Sequence, residues 1–202
     1  MTPILHQFAP SGNCYKVRLT AAHVGVAITL REYDIGRGET RTPAFLAEVN
    51  ASGRIPVLQV GERFLPESNA ACWYLADGSS LIPEDRFARA DVLRWMFWEQ
   101  YNHEPNVATL RYWFTQVGEG QLTPAQRDAI PGKRAAGEDA LALMDRHLAD
   151  AEWLAGDAFS LADIALYAYT HVAGEGGFDL ARYPDITAWL ARVAALPGHV
   201  PL

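Results

Sequence analysis

Three short segments bring together side chains that could do chemistry. In Gly53-Arg54-Ile55-Pro56-Val57-Leu58 a proline stands directly ahead of the apolar run Val57, Leu58 and Val60, so it marks the mouth of a strand and not its middle. If the Ile55-Pro56 bond is cis, the amide and carbonyl of Ile55 turn outward and can pair with a peptide lying alongside as an extra strand. A trans proline that simply opens the strand fits the tripeptide equally well. Glu67-Ser68 begins an expected helix, where free amides and the positive end of the dipole attract a carboxylate and the Glu67 side chain can take an ammonium group. Such a dipeptide can read a zwitterion, or it can do no more than cap its helix. Ser11-Gly12-Asn13-Cys14 places a hydroxyl, an amide and a thiol in one turn at the start of another helix. A hydroxyl hydrogen bond at a helix N-terminus favours an anion such as a thiolate. Helix capping is the plain alternative for Ser11. Core packing is the plain one for Cys14, because free cysteines are among the most buried side chains.

Positioning these groups is the task of a βαβαββα stretch. Ile4-Leu5-His6-Gln7-Phe8 reads as a strand ended by Ala9-Pro10, and the following apolar spacing from Cys14 to Ala22 suits a helix. Residues 28–33 form a second strand, and Thr42-Pro43 opens a second helix. Two further strands, 57–60 and 63–65, are joined by Gly61-Glu62, a pair suited to a two-residue hairpin with glycine first. A helix from Glu67 to about Ala76 closes the unit. This order, within residues 1–77, is that of a thioredoxin-like domain, although order alone does not exclude other small α/β folds.

Residues 78–85, with Gly78, two serines and Pro83, read as a linker, and residues 86–202 as an all-helical domain. The helix from Arg86 to Tyr101 carries Val92, Leu93, Trp95, Met96, Phe97 and Trp98, and its apolarity predicts burial on several sides. Ser160-Leu161-Ala162-Asp163 is a capping box ahead of Ile164, and its expected role is structural.

Composition narrows the function. The chain has 202 residues, half of them apolar, with a net charge of -7 that argues against nucleic acid as a partner. Residues 1–77 hold seven basic and seven acidic groups, so the entire acidic excess follows residue 77, as expected for two domains. No apolar run reaches the roughly 18 residues of a membrane span, and Met1-Thr2-Pro3 has no leader character; the cytoplasm is the expected location. Cys14 and Cys72 lie far apart and in no metal-ligand spacing, which predicts reduced thiols and no metal site.

Taken together, the proline segment, the acid-serine pair, the domain order and the capping box resemble the cytosolic-type glutathione S-transferases over essentially the whole chain. Asn50-Ala51-Ser52-Gly53-Arg54-Ile55-Pro56-Val57-Leu58 is similar to the family's Asn-Pro-x-Gly-x-Val-Pro segment, with Ala51 replacing the first proline, a departure in a turn. The resemblance implies glutathione as co-substrate, with Ile55 and Pro56 beside its cysteinyl unit and Glu67 and Ser68 on its γ-glutamyl group. It further implies Arg41 and Arg54 near the glycyl carboxylate, and a homodimer.

Members that use a tyrosine to activate the thiol carry it late in the first strand, where this chain has Gln7 and Phe8. The resemblance therefore implies a serine-type site with Ser11 as activating hydroxyl and Asn13 as a second donor. A small hydrophobic electrophile is expected against the helical domain, with Tyr101, Glu104, Tyr112 and Trp113 as candidates; for the aromatics, core packing is the alternative. A His103-Glu104 acid-base pair or metal site has no partner at useful spacing. Glutathione transfer is the leading activity. A glutathione-dependent disulfide or quinone reductase or isomerase, and a non-catalytic binding protein with the same fold, remain open.

Overall fold

The computed structural model describes residues 2–202. Its chain forms two compact units, one running to Ile82 and completed by Pro197–Leu202, the other spanning Pro83–Leu196.

At the centre of the first unit lies β1 (Ile4–Gln7), paired in parallel with β2 (Thr29–Glu32) and antiparallel with β3 (Val57–Val60). β4 (Arg63–Pro66) pairs antiparallel with β3, giving the order β2-β1-β3-β4. The register sets Val60 opposite Arg63, which leaves Gly61-Glu62 as the two-residue turn, with Gly61 at φ 62°. Successive strand residues point to opposite faces, and Leu5 and His6 are both fully buried, so β1 is covered on both sides. Edge strand β2 is exposed throughout.

α1 (Gly12–His23) and α3 (Ser68–Ala76) pack on one another, while α2 (Pro43–Glu48) starts with Thr42 accepting from Phe45 N–H at 3.3 Å. His6 is the polar centre of the unit: its ring nitrogens meet Tyr33 Oη and Gln59 Oε1, each at 2.9 Å. Tyr33 packs edge-on against Phe45 of α2. The last residues return to α1, where the Tyr15 hydroxyl donates to the Val200 carbonyl at 2.6 Å and Gly198, at φ 89°, lies against His23.

The second unit is helical. α4 (Arg86–Trp98) continues through a π-helical turn at Glu99–His103 into α5 (Glu104–Tyr112) and a second π turn at Trp113–Val117. Pro105 has no N–H for the Tyr101 carbonyl, and its ring excludes that carbonyl from the ordinary α position; the wider turn falls directly before it. Long helix α6 (Pro124–Leu148) buries Gly137, Ala140, Leu141, Met144 and Leu148. Gly137 lets the Phe178 ring approach: a Cβ there would lie 2.5 Å from it.

Every residue of α7 (Leu161–Thr170) is buried. Both halves of the Ser160–Asp163 capping box are present, and Asp163 also accepts from Leu154 N–H at 3.0 Å and Trp189 Nε1–H at 2.9 Å. Burial pushes the Asp163 carboxyl up to about 6 against the pull of these hydrogen bonds. α8 (Pro184–Ala194) is capped from α6, with Asp145 Oδ1 accepting from Asp185 and Ile186 N–H.

The expectation of a many-sided buried helix at Arg86–Tyr101 is corrected. α4 buries Val92, Trp95 and Met96, whereas Phe87 is 81% and Phe97 70% exposed. Apolar side chains therefore occupy two faces of this helix, and only one of them is core.

Candidate functional site

Two helix starts meet in the first unit. Ser11 is the N-cap of α1, and its Oγ accepts from Cys14 N–H at 3.3 Å. In that bond the hydroxyl oxygen uses a lone pair and not its proton. Two residues on, Asn13 lies in the first turn of α1, and its Oδ1 accepts from the hydroxyl of Ser68, the first residue of α3, at 3.1 Å. No side chain caps α3, so the positive end of that helix keeps backbone N–H groups for a carboxylate.

Glu67 precedes α3 with φ 71° and ψ 115° and is the one non-glycine residue with positive φ among the described residues. A side chain in that region costs of order 1–3 kcal/mol. Its carboxylate is exposed and pairs with none of the described residues, so it is free to take a cation.

The Ile55-Pro56 peptide is cis. Pairing of β3 with β1 begins at Val57, and among the described residues the Ile55 N–H and C=O make no backbone hydrogen bond. Asn50 holds the loop ahead of it, donating Nδ2–H to the Arg54 carbonyl at 2.9 Å and accepting from Ser52 N–H at 3.1 Å. Arg54 is exposed. Arg41 donates from Nη1 to the Ser52 carbonyl at 2.8 Å and lies over Gly53, where a Cβ would come within 2.6 Å of the guanidinium. Gly53, at φ 64°, is thus required both by its backbone conformation and by this side chain.

Cys14 is fully buried, and burial pushes its thiol up to about 11, opposed by hydrogen bonds from Phe8 N–H and the Ser11 hydroxyl and by the Arg18 charge. At neutral pH it is a protonated packing residue and a poor nucleophile.

In the second unit, Tyr101 is 87% exposed, and Glu104 accepts from Gln100 Nε2–H at 2.5 Å. Tyr112 is partly exposed, while Lys133 stands over the Trp113 ring at 5.7 Å. His103 is buried, with Nε2 at 3.0 Å from Thr170 Oγ1. No group of three or more metal-ligating side chains occurs among the described residues, and no described helix is long and apolar enough to cross a membrane.

Residues 1–77 match the family model "Glutathione S-transferase, N-terminal domain", and residues 123–197 match "Glutathione S-transferase, C-terminal domain". The chain belongs to the glutathione S-transferase family. Glutathione S-transferase 2 of Anopheles gambiae is 32% identical over 194 residues, covering 93% of this chain and 88% of the relative. A crystal structure of a glutathione S-transferase from Pseudomonas fluorescens is 44% identical with a TM-score of 0.93, covering 100% of this chain and 98% of the other. The theta-class transferase from Xanthomonas axonopodis pv. citri, solved with glutathione bound, is 29% identical with a TM-score of 0.87, covering 98% and 94%. The disulfide-bond oxidoreductase YfcG of Escherichia coli is 27% identical, covering 95% of this chain and 90% of the relative. The transferase fold, a thioredoxin-like unit followed by helices, is that described above, and the enzyme class is glutathione transferase.

Three residues of this neighbourhood escape reading from sequence. Asn50 acts through backbone groups up to four residues away, while Arg18 and Glu32 reach the Ser11 turn from other elements. A polar residue at a fixed offset from the proline segment is a signal for Asn50; none marks the other two.

Proposed function

We propose that the chain binds glutathione along Ile55, with the γ-glutamyl group at Glu67 and Ser68, and activates its thiol through the Ser11 hydroxyl. The observation that carries this reading is the Asn13–Ser68 hydrogen bond, which brings the serine of one helix start to the zwitterion-reading end of another. A thiol of this kind titrates near 8.5, and each unit of depression takes about 1.36 kcal/mol of preferential thiolate stabilisation. Ser11 supplies a hydrogen bond that strengthens as charge gathers on sulfur, and the α1 N-terminus supplies a positive potential. Asn13 is the second donor in this reading. Arg41 and Arg54 bring cationic groups to the glycyl carboxylate.

The thiolate then attacks a hydrophobic electrophile, for which Tyr101, Glu104, Tyr112 and Trp113 are the candidate pocket residues. Ser11→Ala tests the reading. The pKa of the bound thiol should rise towards its free value, and kcat should fall about a hundredfold, the typical loss for one anion-stabilising donor. An unchanged thiol pKa in that variant would refute Ser11 as the activating group.

Likeness to a disulfide-bond oxidoreductase supports a second reading, in which the same thiolate attacks a disulfide and a second glutathione resolves the mixed disulfide, releasing oxidised glutathione. Cys14, buried and protonated, has no part in it. Turnover of a small glutathione mixed disulfide by Cys14→Ala at the parent rate is the expected result; loss of that turnover would return the role to Cys14.

We also propose a homodimer, supported by the exposed Phe87 and Phe97 of α4, which are costly to leave in water. Light scattering that gives the mass of one chain at every concentration would refute it.

A further inference from the structure

The turn that carries Ser11 is held by side chains from two other elements. Glu32, the last residue of β2, accepts from Ala9 N–H at 2.5 Å and from Gln7 Nε2–H at 2.9 Å. Arg18, on α1, donates from Nη1 to Gln7 Oε1 at 2.5 Å and from Nη2 to the Ala9 carbonyl at 3.1 Å. Both backbone polar groups of Ala9 are therefore tied, two residues ahead of Ser11. The next link is tied as well: Phe8 donates its N–H to Cys14 Sγ at 3.4 Å and accepts from Ser11 N–H at 2.9 Å.

Gln7 is almost fully buried and has both ends of its amide engaged. A planar guanidinium fork can hold Gln7 and Ala9 at once, whereas an ammonium cannot keep that paired geometry. Two of the polar groups that fix this turn carry full charges of opposite sign, and charge-assisted hydrogen bonds are the strong ones.

We propose that Arg18 and Glu32 are positioning residues for thiol activation: they fix the Ala9-Pro10 turn so that the Ser11 hydroxyl points at the sulfur of bound glutathione. The proposal rests on the role given to Ser11 above. Neither residue is among those assigned above to hold the peptide.

Charge and geometry make opposite demands here, which makes the idea testable. The Glu32 charge raises the nearby Cys14 thiol and the Arg18 charge lowers it, so a thiolate at this turn is opposed by one and favoured by the other. Were Glu32 to act through its charge, Glu32→Gln would lower the pKa of the bound thiol. As a positioning residue it has the opposite effect, because the new amide NH2 faces Ala9 N–H or the Gln7 amide and opens the clamp.

The experiment follows the ultraviolet absorbance of bound glutathione thiolate against pH in the parent chain, Glu32→Gln, Arg18→Lys and Ser11→Ala. Calorimetry with S-methylglutathione, which has no thiol to ionise, runs beside it. We expect the bound thiol pKa to rise by about one unit in Glu32→Gln and Arg18→Lys, about tenfold less thiolate below that pKa, with S-methylglutathione affinity unchanged. An unchanged or lowered pKa in Glu32→Gln overturns the proposal, and so does loss of S-methylglutathione binding in either variant. A rise in Ser11→Ala without one in Glu32→Gln removes only the positioning role. A rise in Glu32→Gln without one in Ser11→Ala shows that the clamp acts on some other group. No rise in any variant refutes Ser11 itself.

Discussion

The Ser68 hydroxyl donates to Asn13 Oδ1 across 3.1 Å and so joins the first turns of α1 and α3. A serine hydroxyl has one proton. In the proposed complex the γ-glutamyl carboxylate competes for it, so arrival of that group at Ser68 is felt at Asn13. Ser68→Ala should weaken glutathione binding about tenfold or more, the effect of losing a hydrogen bond to a charged group. Asn13→Ala should weaken it less, and the double variant should depart from the sum of the two by at least ~0.5 kcal/mol. Calorimetry on the three variants measures the coupling; strictly additive losses would show that the bond transmits nothing.

Glu67 bears a backbone strain that a glycine would not. Glu67→Gly should therefore raise the free energy of unfolding by about 1 kcal/mol, the strain relieved less the chain entropy that glycine adds. In a domain of this size that shifts Tm by roughly 2–4 °C. The same change removes the carboxylate proposed to take the γ-glutamyl ammonium, so glutathione affinity should fall. Chemical denaturation and calorimetry together check the pair of signs, and a Glu67→Gly chain that is less stable than the parent would contradict the strain argument.

Stability should depend on His6 at mildly acid pH. Burial holds its imidazole below the usual value, the Gln59 hydrogen bond opposes this and the Arg31 charge adds to it. Gln59 Oε1 can only accept, so Nε2 carries the proton, and Nδ1 of the neutral ring accepts from Tyr33 O–H. The unfolded chain protonates this group near pH 6.5, the folded chain only at lower pH. Its contribution is accordingly complete above about pH 6.5 and is lost as pH falls through the folded value. His23 and His199, also lowered by burial, act in the same direction. Urea unfolding between about pH 7 and pH 5 should show a steeper loss for the parent than for His6→Gln; parallel profiles would clear His6 of the effect.

Short-range chemistry was legible in the sequence, and long-range chemistry was not. Ser160 and Asp163 announce their capping box because both partners lie within one turn, and Gly61-Glu62 sets its hairpin for the same reason. Asp145 caps a helix that starts about forty residues later, with nothing beside it to say so. The Ser68–Asn13 bond spans 55 positions, and only the packing of α3 on α1 creates it. Phe87 and Phe97 mark a different limit: apolar spacing says that a face avoids water and leaves open what covers it. Pro105 sat in plain view inside the helical run, yet the π turn it imposes needs the carbonyl geometry of residue 101 to be recognised.

Residues 197–202 complete the unit that Ile82 left open, with Tyr15 bonded to the Val200 carbonyl. During synthesis, the first unit leaves the ribosome ahead of the second and yet stays unsealed until every helix of the other unit has been made. A nascent chain therefore holds the Ser11 turn on a scaffold whose latch, at residues 197–202, is translated only after the helical unit.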